Sequence, residues 1–357
     1  MDAGIENELK HESLRNLQLI INDRQVFQPG EKLTGVVQLS TTKVLHARRL
    51  FVKICGQAYV KWTESRQLET TEFVNCENYL NDSRVLLEFG VNNNDFETLL
   101  PGNNQFPFNF VIPPSHLPSS FYHGWHKKDY AAIRYWISAS ICLSNNEELT
   151  VTQEFYLKET ADLTKASHLQ EPKTVSAEEY ITWCCFKTGP VTTNMEINRS
   201  AYHPGDDILI TVSINSALSS FNTGKVELQL VQRVNYVANS DYTADICSGT
   251  SHEDILEREH WSMEKNLLLS ASVASRREIN WDNVRLKIPK AIVPTISCSK
   301  CIQLSYFVQL RVSFRVTEDC IIRIPIIIIC KPRDNSFHET RTESGDESSR
   351  TQDTNVE

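Results

Sequence analysis

Short runs of alternating apolar and polar residues recur along the chain with the period of β-strands. Leu17-Gln18-Leu19-Ile20-Ile21 leads to a turn, and Gly35-Val36-Val37-Gln38-Leu39 follows it. Arg49 to Gly56 reads as a core strand closing at glycine, succeeded at once by Gln57-Ala58-Tyr59-Val60-Lys61-Trp62. Further strands are predicted over 108–112, 133–143 and 151–157. The second half repeats the style at 207–214, 225–237, 265–275, 283–288, 302–316 and 321–329. Such short strands, rich in β-branched and aromatic residues and divided by polar turns, predict an all-β protein of antiparallel immunoglobulin-like sandwiches. A short helix is expected only within Ser83 to Leu100.

The pattern lapses twice. Thr160 to Thr188 is polar, contains Pro172 and ends in the apolar knot Trp183-Cys184-Cys185-Phe186. A linker is therefore placed at 166–189, between domains spanning 17–165 and 190–332, with residues 1–16 as an N-terminal extension. From 333 to 357 the chain is acidic and rich in Ser and Thr, and disorder is expected there.

The two halves also share motifs. Phe27-Gln28-Pro29-Gly30-Glu31 matches Tyr202-His203-Pro204-Gly205-Asp206, each running into a strand. Pro sets φ at the second turn position and Gly accepts positive φ at the third. Downstream, Val111-Ile112-Pro113 and Ile133-Arg134-Tyr135-Trp136 match Lys287-Ile288-Pro289 and Leu304-Ser305-Tyr306-Phe307. Two motifs in the same order, at nearly equal spacing, point to two tandem copies of one domain.

Composition narrows the partners. The formal net charge of −9 disfavours nucleic acid, since the nearest basic run, His126-Lys127-Lys128, is followed by Asp129. The stretch from Met1 to Leu19 lacks the apolar run of a signal peptide. The most apolar segment, Ile321 to Cys330, is interrupted by Arg323 and Pro325, too short to span a bilayer. A cytoplasmic protein is expected, with membrane association peripheral at most. The ten cysteines show no framework spacing and are expected to be reduced.

These residues together resemble the arrestin superfamily, and within it the α-arrestins, or arrestin domain-containing proteins. The first half contributes Pro29-Gly30-Glu31, then Gly102-x-x-Gln105-Phe106-Pro107-Phe108-x-Phe110, Leu117-Pro118-Ser119-Ser120-Phe121 and Ile133-Arg134-Tyr135. The second contributes Gly189-Pro190-Val191, Tyr202-x-Pro204-Gly205-Asp206, Ile288-Pro289 and Leu304-Ser305-Tyr306. The resemblance implies an arrestin N-terminal-type domain followed by a C-terminal-type domain. It also implies an adaptor in intracellular protein transport, linking membrane-protein cargo to ubiquitination or endocytic sorting machinery. Its partners would be cytoplasmic regions of membrane proteins, met after recruitment to the plasma membrane or endosomes. A HECT-type ubiquitin ligase would be a further partner, although the Pro-Pro-x-Tyr motif that docks such ligases does not occur in this sequence. Two alternatives stand beside the adaptor: a structural subunit of an endosomal coat-like complex, and an extracellular adhesion sandwich.

No sequence motif proposes catalysis, a metal site or a cofactor. Cys298-Ser299-Lys300-Cys301 is a lone C-x-x-C beside a strand, expected to be structural. Cys184 and Cys185, between Trp183 and Phe186, are candidate lipidation sites whose alternative role is packing against the second domain. Arg134 sits in an otherwise apolar run. It is either half of a polar inter-domain lock or a solvent-facing residue that meets a partner.

Overall fold

The computed structural model describes residues 14–22, 24–66, 69–88, 97–114, 117–125, 129–183, 186–216, 223–239, 258–272, 278–314 and 319–333. Among them the chain is mostly strand, its helical elements are two single 3-10 turns at Leu163–Lys165 and Ser167–Leu169, and no helix is long and apolar enough to cross a membrane.

The first sandwich faces two sheets against each other. One is β1 (Leu14–Ile21), β3 (Lys32–Thr41) and β7 (Gly102–Val111), in the order β1-β3-β7. The other runs β5-β4-β9-β10-β2, comprising β2 (Val26–Phe27), β4 (Leu45–Arg66), β5 (Glu69–Glu88), β9 (Tyr130–Leu143) and β10 (Glu148–Leu157). Two short strands join its margins: β6 (Glu97–Leu99) pairs with β4, and β8 (Phe121–Gly124) pairs with β9. Period-two alternation fills the space between the sheets. Leu17 and Leu19 of β1, Leu33, Val37 and Leu39 of β3, and Val52, Ile54, Ala58 and Val60 of β4 are all buried.

The second sandwich repeats this plan. β11 (Lys173–Trp183), β12 (Phe186–Ile197), β14 (Asp207–Ser216) and β17 (Glu278–Lys287) make one sheet in the order β11-β12-β14-β17. The opposing sheet contains β13 (Ala201–Tyr202), β15 (Thr223–Asn239), β16 (Arg258–Ser272), β18 (Ile302–Phe314) and β19 (Cys320–Ile328). In β19 the alternation is strict: Ile322, Ile324, Ile326 and Ile328 are buried, whereas Ile321 and Ile327 face outward. The most apolar stretch of the sequence is thus an ordinary sandwich strand.

The repeated turn motifs fold alike. Gly30 and Gly205 adopt φ of 85° and 90°, in the left-handed region that a side chain would strain. The backbone amide of Gln28 donates to Glu31 Oε2 at 2.8 Å, as that of His203 does to Asp206 Oδ2 at 3.0 Å. An arginine closes each turn, Arg24 on Glu31 at 3.2 Å and Arg199 on Asp206 at 2.7 Å, and lies over Phe27 or Tyr202. The downstream tyrosines also correspond. Tyr135 donates its hydroxyl to the Pro118 carbonyl at 2.7 Å, and Tyr306 to the Val293 carbonyl at 2.6 Å. Each buries a ring while satisfying its polar tip.

Two sequence expectations give way. The segment expected to hold a helix within Ser83 to Leu100 is strand as far as Glu88, because residues 83–88 pair with Arg49 to Lys53 of the long β4. Residues 89–96 lie outside the described residues. The linker placed at 166–189 holds a strand in its second part. Lys173 to Trp183 form β11 because the backbone pairs in register with β12 and Val175 and Ala177 pack on the core. Tertiary pairing outweighs a weak local alternation.

Candidate functional site

The two sandwiches join through a junction that no sequence motif announced. Val74 of β5 pairs with Asn239 of β15, so one hydrogen-bonded sheet runs from the first domain into the second. Beside that bridge, the Asn75 side-chain amide donates to the Val237 carbonyl at 3.0 Å. His123 Nδ1 lies 2.8 Å from the Tyr236 hydroxyl, and the Trp125 ring stacks on Tyr236 with centroids 5.1 Å apart. The C-terminal end of the second domain returns to the first. Thr160 bridges to Cys330, and Arg333 donates to the Val26 carbonyl at 2.9 Å beside Glu31.

Glu77 is the polar centre of this junction. A single carboxylate oxygen, Oε2, accepts from Tyr79 Oη at 2.8 Å, from the Lys300 backbone amide at 2.8 Å and from Ser299 Oγ at 3.2 Å. Bonds onto an ionised acceptor are the stronger kind. The Cys298-Ser299-Lys300-Cys301 loop is therefore a hook of the second domain held by an acid of the first. Ser299 is buried, and its hydroxyl also accepts from the Ile302 amide at 3.1 Å. Burial pushes the thiols of Cys298 and Cys301 up to about 11. Both are held protonated at neutral pH, opposite to what redox or metal chemistry needs. Among the described residues no three His, Cys, Asp or Glu side chains converge to hold a metal, and the seven cysteines there are all free. Glu159 lies near Cys298 at the same junction, and burial raises its carboxyl above the usual range.

Arg134 lies elsewhere. It points out of β9, more than half exposed, and forms an ion pair with Glu154 of β10 within the first domain, not with a group of the second. Among the polar contacts between the domains described above, Glu77 accepts the most bonds.

Comparison with known proteins agrees with this architecture. Residues 17–164 match the arrestin (or S-antigen) N-terminal domain, and residues 187–333 match the arrestin (or S-antigen) C-terminal domain. The chain belongs to the arrestin family. Arrestin domain-containing protein 5 of Homo sapiens is 25% identical over 209 residues, covering 58% of each chain, so this chain spans less than two thirds of that relative. Arrestin domain-containing protein 17 of Caenorhabditis elegans is 24% identical over 317 residues, 87% of this chain and 69% of that one. Arrestin domain-containing protein 4 of Homo sapiens is 24% identical over 324 residues, 88% of this chain and 71% of that one.

In this arrestin the motif residues sit in separate places. Pro29, Gly30 and Glu31 form the first turn, and Pro204 and Gly205 the second. Phe106, Pro107 and Phe108 lie on β7, an edge strand where a missing N–H is tolerated; Phe108 is buried and Pro107 exposed. Pro118 receives the hydroxyl of the buried Tyr135. Cys184 and Cys185 lie outside the described residues. Glu77, Tyr79, His123, Trp125 and Tyr236 went unnoticed in the sequence. Their pairing depends on how two domains meet, and neither spacing nor periodicity encodes that. Arg333, expected from the sequence to begin a disordered tail, is bonded to the first domain, and residues 334–357 lie outside the described residues.

Proposed function

We propose that this arrestin is a cytoplasmic adaptor. It binds cytoplasmic segments of membrane proteins and links them to ubiquitination or endocytic sorting machinery, without catalysis of its own. What carries the reading is the outward face of the first domain's larger sheet. There Tyr122 is 73% exposed and Tyr156 52%, beside the exposed Arg134. Aromatic residues and arginine are the side chains that dominate protein interfaces. The family relationship supports the same reading. The test is affinity purification of the tagged full chain from cells after mild crosslinking. Recovery of integral-membrane proteins together with HECT-type ligases or endosomal sorting factors is expected. Recovery of neither class would overturn the adaptor reading while leaving the fold untouched.

A further inference from the structure

The same outward face holds a built groove. Its floor is Ala132, which stands opposite Tyr59 of β4 on one side and Tyr122 of β8 on the other. Residues directly opposite in an antiparallel pair project to the same face, as do residues two apart on one strand. Tyr130 and Arg134 therefore rise from β9 at the two remaining sides. A small residue ringed by long ones leaves a depression of about 340 Å³, reaching along the sheet to Trp136 and Glu154. The rings of Tyr59 and Tyr130 wall it with centroids 5.4 Å apart, and Tyr122 extends the aromatic surface beyond Tyr130 at 6.4 Å, with planes about 30° apart.

We propose that this groove binds a proline-rich segment of a partner protein in polyproline II conformation. The proposal rests on the adaptor reading and names the chemistry of one partner. Charge complementarity decides the occupant. The one carboxylate lining the groove, Glu154, is already paired with Arg134, so the site is neutral overall. A basic segment would have to displace Arg134, and an acidic one Glu154. Around the aromatic wall the phenol hydroxyls, the Trp136 indole N–H and the Arg134 guanidinium can donate, and Gln57 and Thr152 can both donate and accept. A polyproline II helix offers the complement. Its carbonyls are solvated acceptors, proline contributes no N–H, and pyrrolidine rings pack against aromatic faces at low entropic cost. Strand addition is not an option here, because the groove lies on the face of the sheet and β9 already has β4 and β10 as neighbours.

The test is fluorescence anisotropy of a labelled ten-residue oligoproline titrated with the full chain. A Gly/Ser peptide and an acidic and a basic peptide of equal length serve as comparisons. Saturable binding of the oligoproline alone is expected, weakened tenfold or more by Tyr130→Ala and by Trp136→Ala. Ile321→Ala, on the outer face of the second domain, should bind like the parent chain. The melting temperature verifies that both groove variants keep the fold. Oligoproline binding no tighter than Gly/Ser, tighter binding of either charged peptide, or binding indifferent to both groove variants would overturn the proposal. If cellular recovery of membrane proteins persists without oligoproline binding, the groove proposal fails and the adaptor reading stands. If the oligoproline binds at this groove and no membrane protein is recovered, the reverse holds.

Discussion

At the scale of single residues, burial at the domain junction sets the chemistry. Glu159 lies just beyond the end of β10, where its amide donates to Ser119 Oγ at 2.8 Å, and its carboxyl is desolvated near Cys298 and Tyr135. Desolvation raises its pKa, so the folded state holds this proton more tightly than the unfolded chain does. Stability contributed by the neutral acid is therefore lost as pH rises from the ordinary carboxylate range through the raised value. Glu159→Gln removes that cost. The variant should melt higher than the parent chain at pH 7, and the gain should shrink to nothing near pH 4, about the ordinary carboxylate pKa. Thermal melts at both pH values check this, and an equal offset at the two would contradict it. Residues of this kind escape sequence inspection. The string Leu157-Lys158-Glu159-Thr160 looks like any solvated strand end, and only the second domain lying against it makes the acid unusual.

At the scale of elements, much was legible. The Pro29-Gly30-Glu31 and Pro204-Gly205-Asp206 strings specify their own geometry through fixed φ and a local carboxylate-to-amide bond, so they could be read without tertiary information. The alternation of β1 and β3 was equally plain, because each has one wet and one dry face, whereas in β19 a nearly continuous apolar run hides it. What misled was β11, which among its described side chains is almost all polar and sends Val175 and Ala177 toward the core. Gly56 shows a subtler constraint. It ends the apolar run of β4 opposite Tyr135, and a Cβ there would stand 2.5 Å from the tyrosine ring. That ring cannot retreat, since it is buried and its hydroxyl is anchored on Pro118. Gly56→Ala should destabilise the chain by about 1–3 kcal/mol, the usual cost of overpacking a filled core. Urea titration measures it. A neutral effect would mean that the Tyr135 anchor is looser than its hydrogen bond implies.

At the scale of the whole molecule, two similar sandwiches become one body through unlike contacts. The duplicated features, turn, arginine clasp and tyrosine plug, each act inside their own domain. The joining contacts have no duplicate: Glu77 holds the Cys298–Cys301 loop, and Arg333 returns to Glu31. A duplicated domain supplies its own core twice, but an interface between the copies must be written once, on one side of each. Glu77 is the sharpest instance. Removing its carboxylate strands the Ser299 hydroxyl and the Lys300 amide, and loss of such charge-assisted bonds costs about 1.5–3 kcal/mol. Cys301, the fully buried last residue of that loop, reports the opening. In Glu77→Ala, alkylation of Cys301 by iodoacetamide, followed by mass spectrometry of its peptide, should accelerate roughly tenfold or more. Alkylation of Cys142, on β9 away from the junction, should stay constant. The charge of Glu77 also helps to keep the Cys301 thiol protonated, after the larger effect of burial, so electrostatics alone could quicken the reaction. Glu77→Gln separates the two causes, because it removes the charge and keeps an acceptor. A large acceleration in the alanine variant with a small one in the glutamine variant marks a loop that has come away from the first domain. Equal acceleration in both would assign the effect to charge, and would mean that the two domains stay docked without this carboxylate.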